Sequence, residues 1–331
     1  ERDDDEEPAR ADWTVVTTQK VDVEGDSALE VRFRHALQDA LAGQRAANSS
    51  TKATITTIPD GKYSALRIKV SGSPLVWTLR AQVYIPEANT TPDYVLQADD
   101  PHQMKFAIYT DGLKYHASAV HNRVGDDAEK RQALRALGWI PWAVTHADLD
   151  RYEKGQKPGW SNETLVLNLA KRLEVAKERI HLAEGDPITL LAHIIFDPKP
   201  EVWQSVMDAC AVYWFATGNR HEAQAVHDRT FAHLELRGHP GRHETLGVEL
   251  EIDDSTAAVA DPSYRVDWQW WLHTSNLLSL RRRNDVVGTQ RTLDDVDSIE
   301  AELAALQNEQ PTAAGLPAAW QELADEIDPE D

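Results

Sequence analysis

The stretch Pro92-Asp93-Tyr94-Val95-Leu96, with Phe106-Ala107-Ile108-Tyr109-Thr110-Asp111-Gly112-Leu113-Lys114-Tyr115-His116 after it, decides how this chain is read. Strands are expected at 93–96 and 105–110. Paired as neighbours, they place Asp93 and Asp111 near one end of a sheet. Two carboxylates converging there suit a hard cation such as Mg²⁺, which takes oxygen ligands and keeps several waters. A cation so held polarises a phosphate oxygen and supplies a hydroxide nucleophile. His116 stands five residues after Asp111, across a Gly that lets the chain turn, and is placed to take the proton from that water. Acid, acid and histidine in this order make a phosphodiesterase constellation.

Working outward, the β-branched runs 53–58, 63–70 and 76–85 and the turn Pro59-Asp60-Gly61 predict antiparallel strands. Before them, Ser27-Ala28-Leu29-Glu30 has the capping-box pattern and leads into Val31, Phe33, Leu37 and Leu41. After the deciding stretch come a helix at 126–137, Gly138 and an apolar strand at 140–145. Helix, several strands, helix and strand give an α/β layer arrangement. Beyond the Lys154-Gly155-Gln156-Lys157-Pro158-Gly159 boundary, helices are expected at 162–182, 187–196, 201–215, 268–280 and 296–306. A hairpin pairs 230–236 with 245–252. The division is an acidic tail at 1–12, a first domain at 13–152, a mostly helical accessory domain at 160–306 and an acidic linker or tail at 307–331.

The 331 residues carry a formal charge of -21, which speaks against nucleic acid only if it is evenly spread. It is not. Residues 1–12 hold seven acids and two bases, and residues 292–331 hold twelve acids and no base. The stretch 13–291 is left at a net of -4. A single cysteine, Cys210, excludes an intramolecular disulfide framework and fits a reducing cytosol, hence a cytoplasmic location. No run approaches the ~18 apolar residues of a membrane span, so no membrane partner is expected. The acidic start without an initiator Met reads as a piece of something longer.

Glu30-x-x-Phe33, Gln82, Pro92-Asp93, Thr110-Asp111-Gly112 and His116 together resemble the PD-(D/E)XK nuclease superfamily, nearest to the very-short-patch mismatch repair endonucleases. The likeness runs on through Asp126-Asp127-x-x-x-Arg131, Leu134, Leu137-Gly138-Trp139 and Thr145, covering about residues 27–150. It also extends to the nuclease-like region at the C-terminus of large bacterial DEAD/DEAH-box helicases, some of which serve phage defence. The resemblance implies a restriction-endonuclease-like mixed sheet flanked by helices, ahead of the helical extension with its hairpin. It implies a metal-dependent DNA endonuclease using Mg²⁺ or Mn²⁺, with DNA and a covalently or non-covalently linked helicase as partners. Asp93, Thr110 (through its carbonyl) and Asp111 would hold the metal. His116 would be the general base, oriented by Asp127, with Glu30 approaching the metal or its waters. Lys130 or Arg131 would steady the scissile phosphate. The usual Glu-x-Lys is Tyr109-Thr110-Asp111 here, which keeps a second reading open: a catalytically silent nuclease-like domain that binds nucleic acid or docks a helicase.

Plainer readings stand beside these. Asp93 after Pro92 is also turn chemistry, and Asp111-Gly112 also fits a type I′ hairpin turn. Glu30 also serves a capping box, and Asp126 and Asp127 also suit a helix N-terminus. His221, His227, His233, His239 and His243 do not share a helical face and lack the HExxH spacing of a zinc site. Trp268, Trp270 and Trp271 read as core or interface anchors, and Arg281-Arg282-Arg283 as a solvated face.

Overall fold

A computed structural model of the chain describes residues 28–43, 52–118, 121–156, 177–183, 185–207, 229–237, 245–281 and 286–291. Helix α1 (Ala28–Gly43) places Phe33, Leu37 and Leu41 on one buried face, four residues apart. Strands β1 (Ala53–Asp60), β2 (Tyr63–Val70), β3 (Val76–Ala81), β4 (Tyr94–Ala98) and β5 (Lys105–Asp111) then pair antiparallel in chain order. Two helices follow, the short α2 (Leu113–His116) and α3 (Val124–Ala136). Only after them does β6 (Ile140–Thr145) join, parallel to β5. A parallel neighbour needs a crossover, and α3 supplies it. The result is a six-stranded mixed sheet flanked by helices, the expected α/β class.

Alternation along the strands divides the core. Leu66, Ile68, Trp77, Leu79, Tyr94, Leu96, Phe106, Ile108, Trp142 and Val144 face one way. They meet α1 and the apolar helix α6 (Pro187–Phe196), whose N-cap Asp186 and Pro187 match the preference for a capping acid followed by Pro. On the other face Val95 and Ala107 meet Leu134 of α3. Between β6 and α6 lie α4 (His146–Glu153), started by a Thr145–Asp148 capping box, and α5 (Lys177–Ala183). Apolar residues at 180–207 and 277–280 belong to the same core as the sheet.

The second sheet contains the expected hairpin, β7 (Thr230–Arg237) with β8 (Thr245–Asp253). It adds an unexpected third strand, β9 (Val286–Arg291), parallel to β8. Between them run α7 (Thr256–Ala260) and α8 (Tyr264–Leu280). Helix α8 packs on β6, the last strand of the first sheet. Asn276 donates to the Ala143 carbonyl at 2.8 Å and accepts from the Ala143 N–H at 2.7 Å. One side-chain amide thus satisfies a residue on the strand's unpaired edge, as another strand would.

Two local expectations are corrected. The strand expected to reach residue 85 stops at Ala81, because Gln82 takes a left-handed backbone (φ 52°) that no strand continues. The Asp111-Gly112 hairpin turn does not form: Gly112 has φ -97° and starts α2. The β1–β2 turn uses Gly61 (φ 62°) at the loop position where a type II′ turn requires glycine. The expected helix at 296–306, most of those at 162–182 and 201–215, Cys210, and His221, His227, His239 and His243 lie outside the described residues. Among the described residues no helix is long and apolar enough to cross a membrane.

Candidate metal centre

Strand β4 begins after Pro92, which has no N–H to give a ladder. Where the pairing ends, the Asp93 carboxylate takes over: its Oδ2 accepts from the Thr110 N–H at 2.6 Å and the Thr110 hydroxyl at 2.8 Å. Asp93 and the end of β5 are therefore held together by a side chain standing in for a strand residue. Two residues beyond Tyr109 on the same face of β5, Asp111 is 1% exposed. Its Oδ2 accepts from Arg131 of α3 at 2.6 Å, and Arg131 is itself buried, with its guanidinium 5.3 Å from the Tyr109 ring. Tyr109, where the resemblance expects an acid, is a neutral phenol. Burial pushes it up to about 12, and its hydroxyl lies 3.0 Å from that of Thr90.

Short helix α2 turns the chain back so that His116 approaches the same corner. Its Nδ1 donates to Asp127 Oδ2 at 2.6 Å and lies 3.8 Å from Asp111 Oδ1. With Nδ1 engaged, Nε2 is the nitrogen left to accept a proton. One ligand atom from each of Asp111, His116 and Asp127 lies within 4.8 Å of the others. Oxygen ligands around a small divalent ion at ~2.1 Å lie up to ~4.2 Å apart, so a slight side-chain shift closes the set. These three residues can hold a metal ion.

The electrostatics follow from burial. Desolvation raises the Asp93 carboxyl against the hydrogen bonds from Thr110, and raises Asp111 against the charges of Arg131 and His116. For Asp127 burial also pushes upward, but the His116 hydrogen bond and the nearby Arg131, His116 and Lys130 charges prevail and hold it low. His116 is pushed down by burial and then raised above its ordinary value by Asp127 and Asp111. Three carboxylates thus sit at the cleft floor with one guanidinium and one imidazole. A divalent cation would relieve that imbalance, and the mostly oxygen donor set with one nitrogen suits Mg²⁺ or Mn²⁺.

No family model, curated protein or solved structure matches this chain. The expected residues Glu30, Asp93, Thr110, Asp111, His116, Asp127 and Lys130 all line one cleft of about 1250 Å³. They do not all meet. Asp93 and Thr110, expected to share the metal with Asp111, are bonded to each other and stand beside the three-residue group. Glu30 lies in the wall, where Gln82 donates to its carboxylate at 3.2 Å. Arg131, expected on the scissile phosphate, is turned inward onto Asp111 and does not line the cleft, which leaves Lys130 as the cleft-lining member of that pair.

Sequence reading missed the far wall. Arg265, Trp268 and Gln269 of α8 line the same cleft, more than a hundred residues after the strands that form its floor. The helix expected at 268–280 left Arg265 outside; it starts at Tyr264, which sets Arg265 and Gln269 four apart on one face. Arg123, at the start of α3, also lines the cleft and was not singled out.

Proposed function

We propose that the chain is a metal-dependent DNA endonuclease domain with a restriction-endonuclease-like fold, hydrolysing phosphodiester bonds as part of a larger helicase-linked DNA repair or phage-defence protein. The observation that carries this reading is the buried group Asp111, His116 and Asp127, with ligand atoms within 4.8 Å, beside the Asp93–Thr110 pair. Mg²⁺ or Mn²⁺ bound there would supply a Lewis acid and an acidified water. With the ion on the Asp111 and Asp127 carboxylates, His116 stays out of the ligand set: its Nε2 takes the proton from the attacking water, while Asp127 fixes the ring through Nδ1 and stabilises the imidazolium that results. Arg131 pulls the Asp111 carboxyl down against burial and orients it from behind. Lys130, in the cleft wall, meets the phosphate.

Purified protein with Mn²⁺ or Mg²⁺ is expected to cut duplex, nicked or single-stranded DNA, and His116→Gln is expected to lower the rate at least ~100-fold. The glutamine amide can still donate to Asp127, so the melting temperature should stay near that of wild type. Equal cleavage by the His116→Gln variant sinks the proposal. A silent nuclease-like domain that binds nucleic acid or docks a helicase draws on one observation, that Asp111 and Asp127 already have internal partners in Arg131 and His116. Titration calorimetry with Mn²⁺ separates the two readings, since a silent site takes up no ion.

A further inference from the structure

Resting on that reading, we propose that α8 is the second wall of the substrate cleft, and that Arg265, together with Arg123 and Lys130 on the α3 side, grips the phosphates of an extended polynucleotide strand. The cleft has an acidic floor and a basic rim. Its inner cations are spent: Arg131 on Asp111, and Arg32 on Asp150 and Glu153. Arg123, Lys130 and Arg265 line the same space, and among the described residues none of them makes an ion pair with a carboxylate. A free phosphodiester is repelled by the floor carboxylates until a cation sits there, so affinity has to come from the rim.

The dimensions favour a polymer. Arg123 and Lys130 are seven residues apart, two turns along one face of α3, or ~10 Å at ~1.5 Å per residue. That is too far apart for one phosphate to meet both, and suits successive phosphates of a strand. The cleft volume of about 1250 Å³ also exceeds the ~300–1,000 Å³ usual for a small-molecule pocket. On the α8 side Arg265 is exposed, and Gln269, one turn on, offers an amide that both donates and accepts. Trp268 is 2% exposed, so it forms wall and not a stacking platform. The C-terminal region therefore takes part in binding, which the sequence alone assigned to residues 13–152.

The test is fluorescence anisotropy of a labelled 20-nucleotide single strand in EDTA, so that nothing is cut, across a salt series. Wild type is expected to bind the strand far more tightly than a dinucleotide competitor. Arg265→Ala should weaken binding several-fold and lower the slope of log affinity against log salt by ~0.7, one phosphate contact on a single strand. Arg265→Glu should weaken it at least ~10-fold. Gln269→Ala should weaken it less and leave the slope unchanged, since it removes no charge. Wild-type affinity and slope in Arg265→Glu, or a dinucleotide that competes as well as the strand, overturns the proposal. Mn²⁺ calorimetry on the same preparations keeps the two readings apart. An ion bound normally while Arg265→Glu binds DNA normally overturns the α8 wall alone. No ion bound while Arg265→Glu loses DNA overturns the metal centre alone.

Discussion

Two regions of this molecule bury polar groups, and they do so in opposite ways. At the joint of α8 with β6 and α3, Asn276 exchanges both hydrogen bonds with Ala143, and Arg135 of α3 donates to Ser279 and to the Ser275 carbonyl. Donors there meet mostly neutral acceptors and no carboxylate is left in excess, although Trp271 Nε1 and Thr274 Oγ1 of α8 are buried without a hydrogen-bond partner. At the cleft floor, Asp93, Asp111 and Asp127 face one guanidinium and one imidazole. Burial raises two of the three carboxyls. Buried polar groups that close on themselves hold a fold together. Buried carboxylates in excess of their partners leave a fold electrostatically unfinished, which is what a cation site requires.

That contrast breaks most readily at Arg131. Replacing it with Met keeps much of the side-chain volume but leaves Asp111 as a buried charge without its partner, a loss of ~3–5 kcal/mol for such pairs. Urea unfolding at pH 7 should show the loss, and saturating Mn²⁺ should restore part of it. A variant as stable as wild type without metal would mean the floor is not short of positive charge.

The joint offers the opposite test. Asn276→Ala leaves the Ala143 N–H and carbonyl unsatisfied, at ~1–3 kcal/mol for each buried group. The melting temperature should fall, and added Mn²⁺ should recover none of the loss beyond its effect on wild type. Metal rescue equal to that of the Arg131 variant would erase the distinction.

The smallest expected effect sharpens the comparison through pH. His273 of α8 is buried beside the joint, and burial, with the Arg151 charge helping and Asp148 opposing, lowers it to about 4. Its folded value lies below its unfolded one near 6.5, so the unfolded chain binds the extra proton as pH falls. The stability contributed by neutral His273 is therefore full above pH ~6.5 and lost as pH falls toward 4. At ~1.36 kcal/mol per unit, the loss between pH 7 and pH 5 is about 2 kcal/mol. Denaturant unfolding of wild type and His273→Phe at both pH values measures it, and an unchanged difference between them would remove His273 from the account.

What was legible in the sequence is what neighbouring residues decide. Strands β4, β5 and β6, the helix between them and the 230–252 hairpin follow from short apolar runs and their turns. Asp93, Asp111 and His116 could be picked out because strand ends and one glycine place them, with few degrees of freedom in between. The illegible part is carried by side-chain tips that meet over long separations. Nothing local pairs Arg131 with Asp111 in preference to a phosphate, and nothing near residue 143 announces Asn276. The third strand, β9, was missed because Val286-Val287-Gly288-Thr289 is short and glycine-broken, and only β8 gives it a partner. The end of β3 was missed because the left-handed Gln82 is fixed by its tertiary bonds to Asp93 and Glu30.

The Asn276 clasp has a consequence during synthesis. β6 leaves the ribosome 133 residues before the side chain that covers its edge. At ~5–20 residues per second, that is about 7–27 s. For that interval a nascent chain shows a finished β-sheet with one open, apolar margin, ready to pair with the same margin on the chain from the next ribosome. Crowding of translating ribosomes on one message brings such open margins close together.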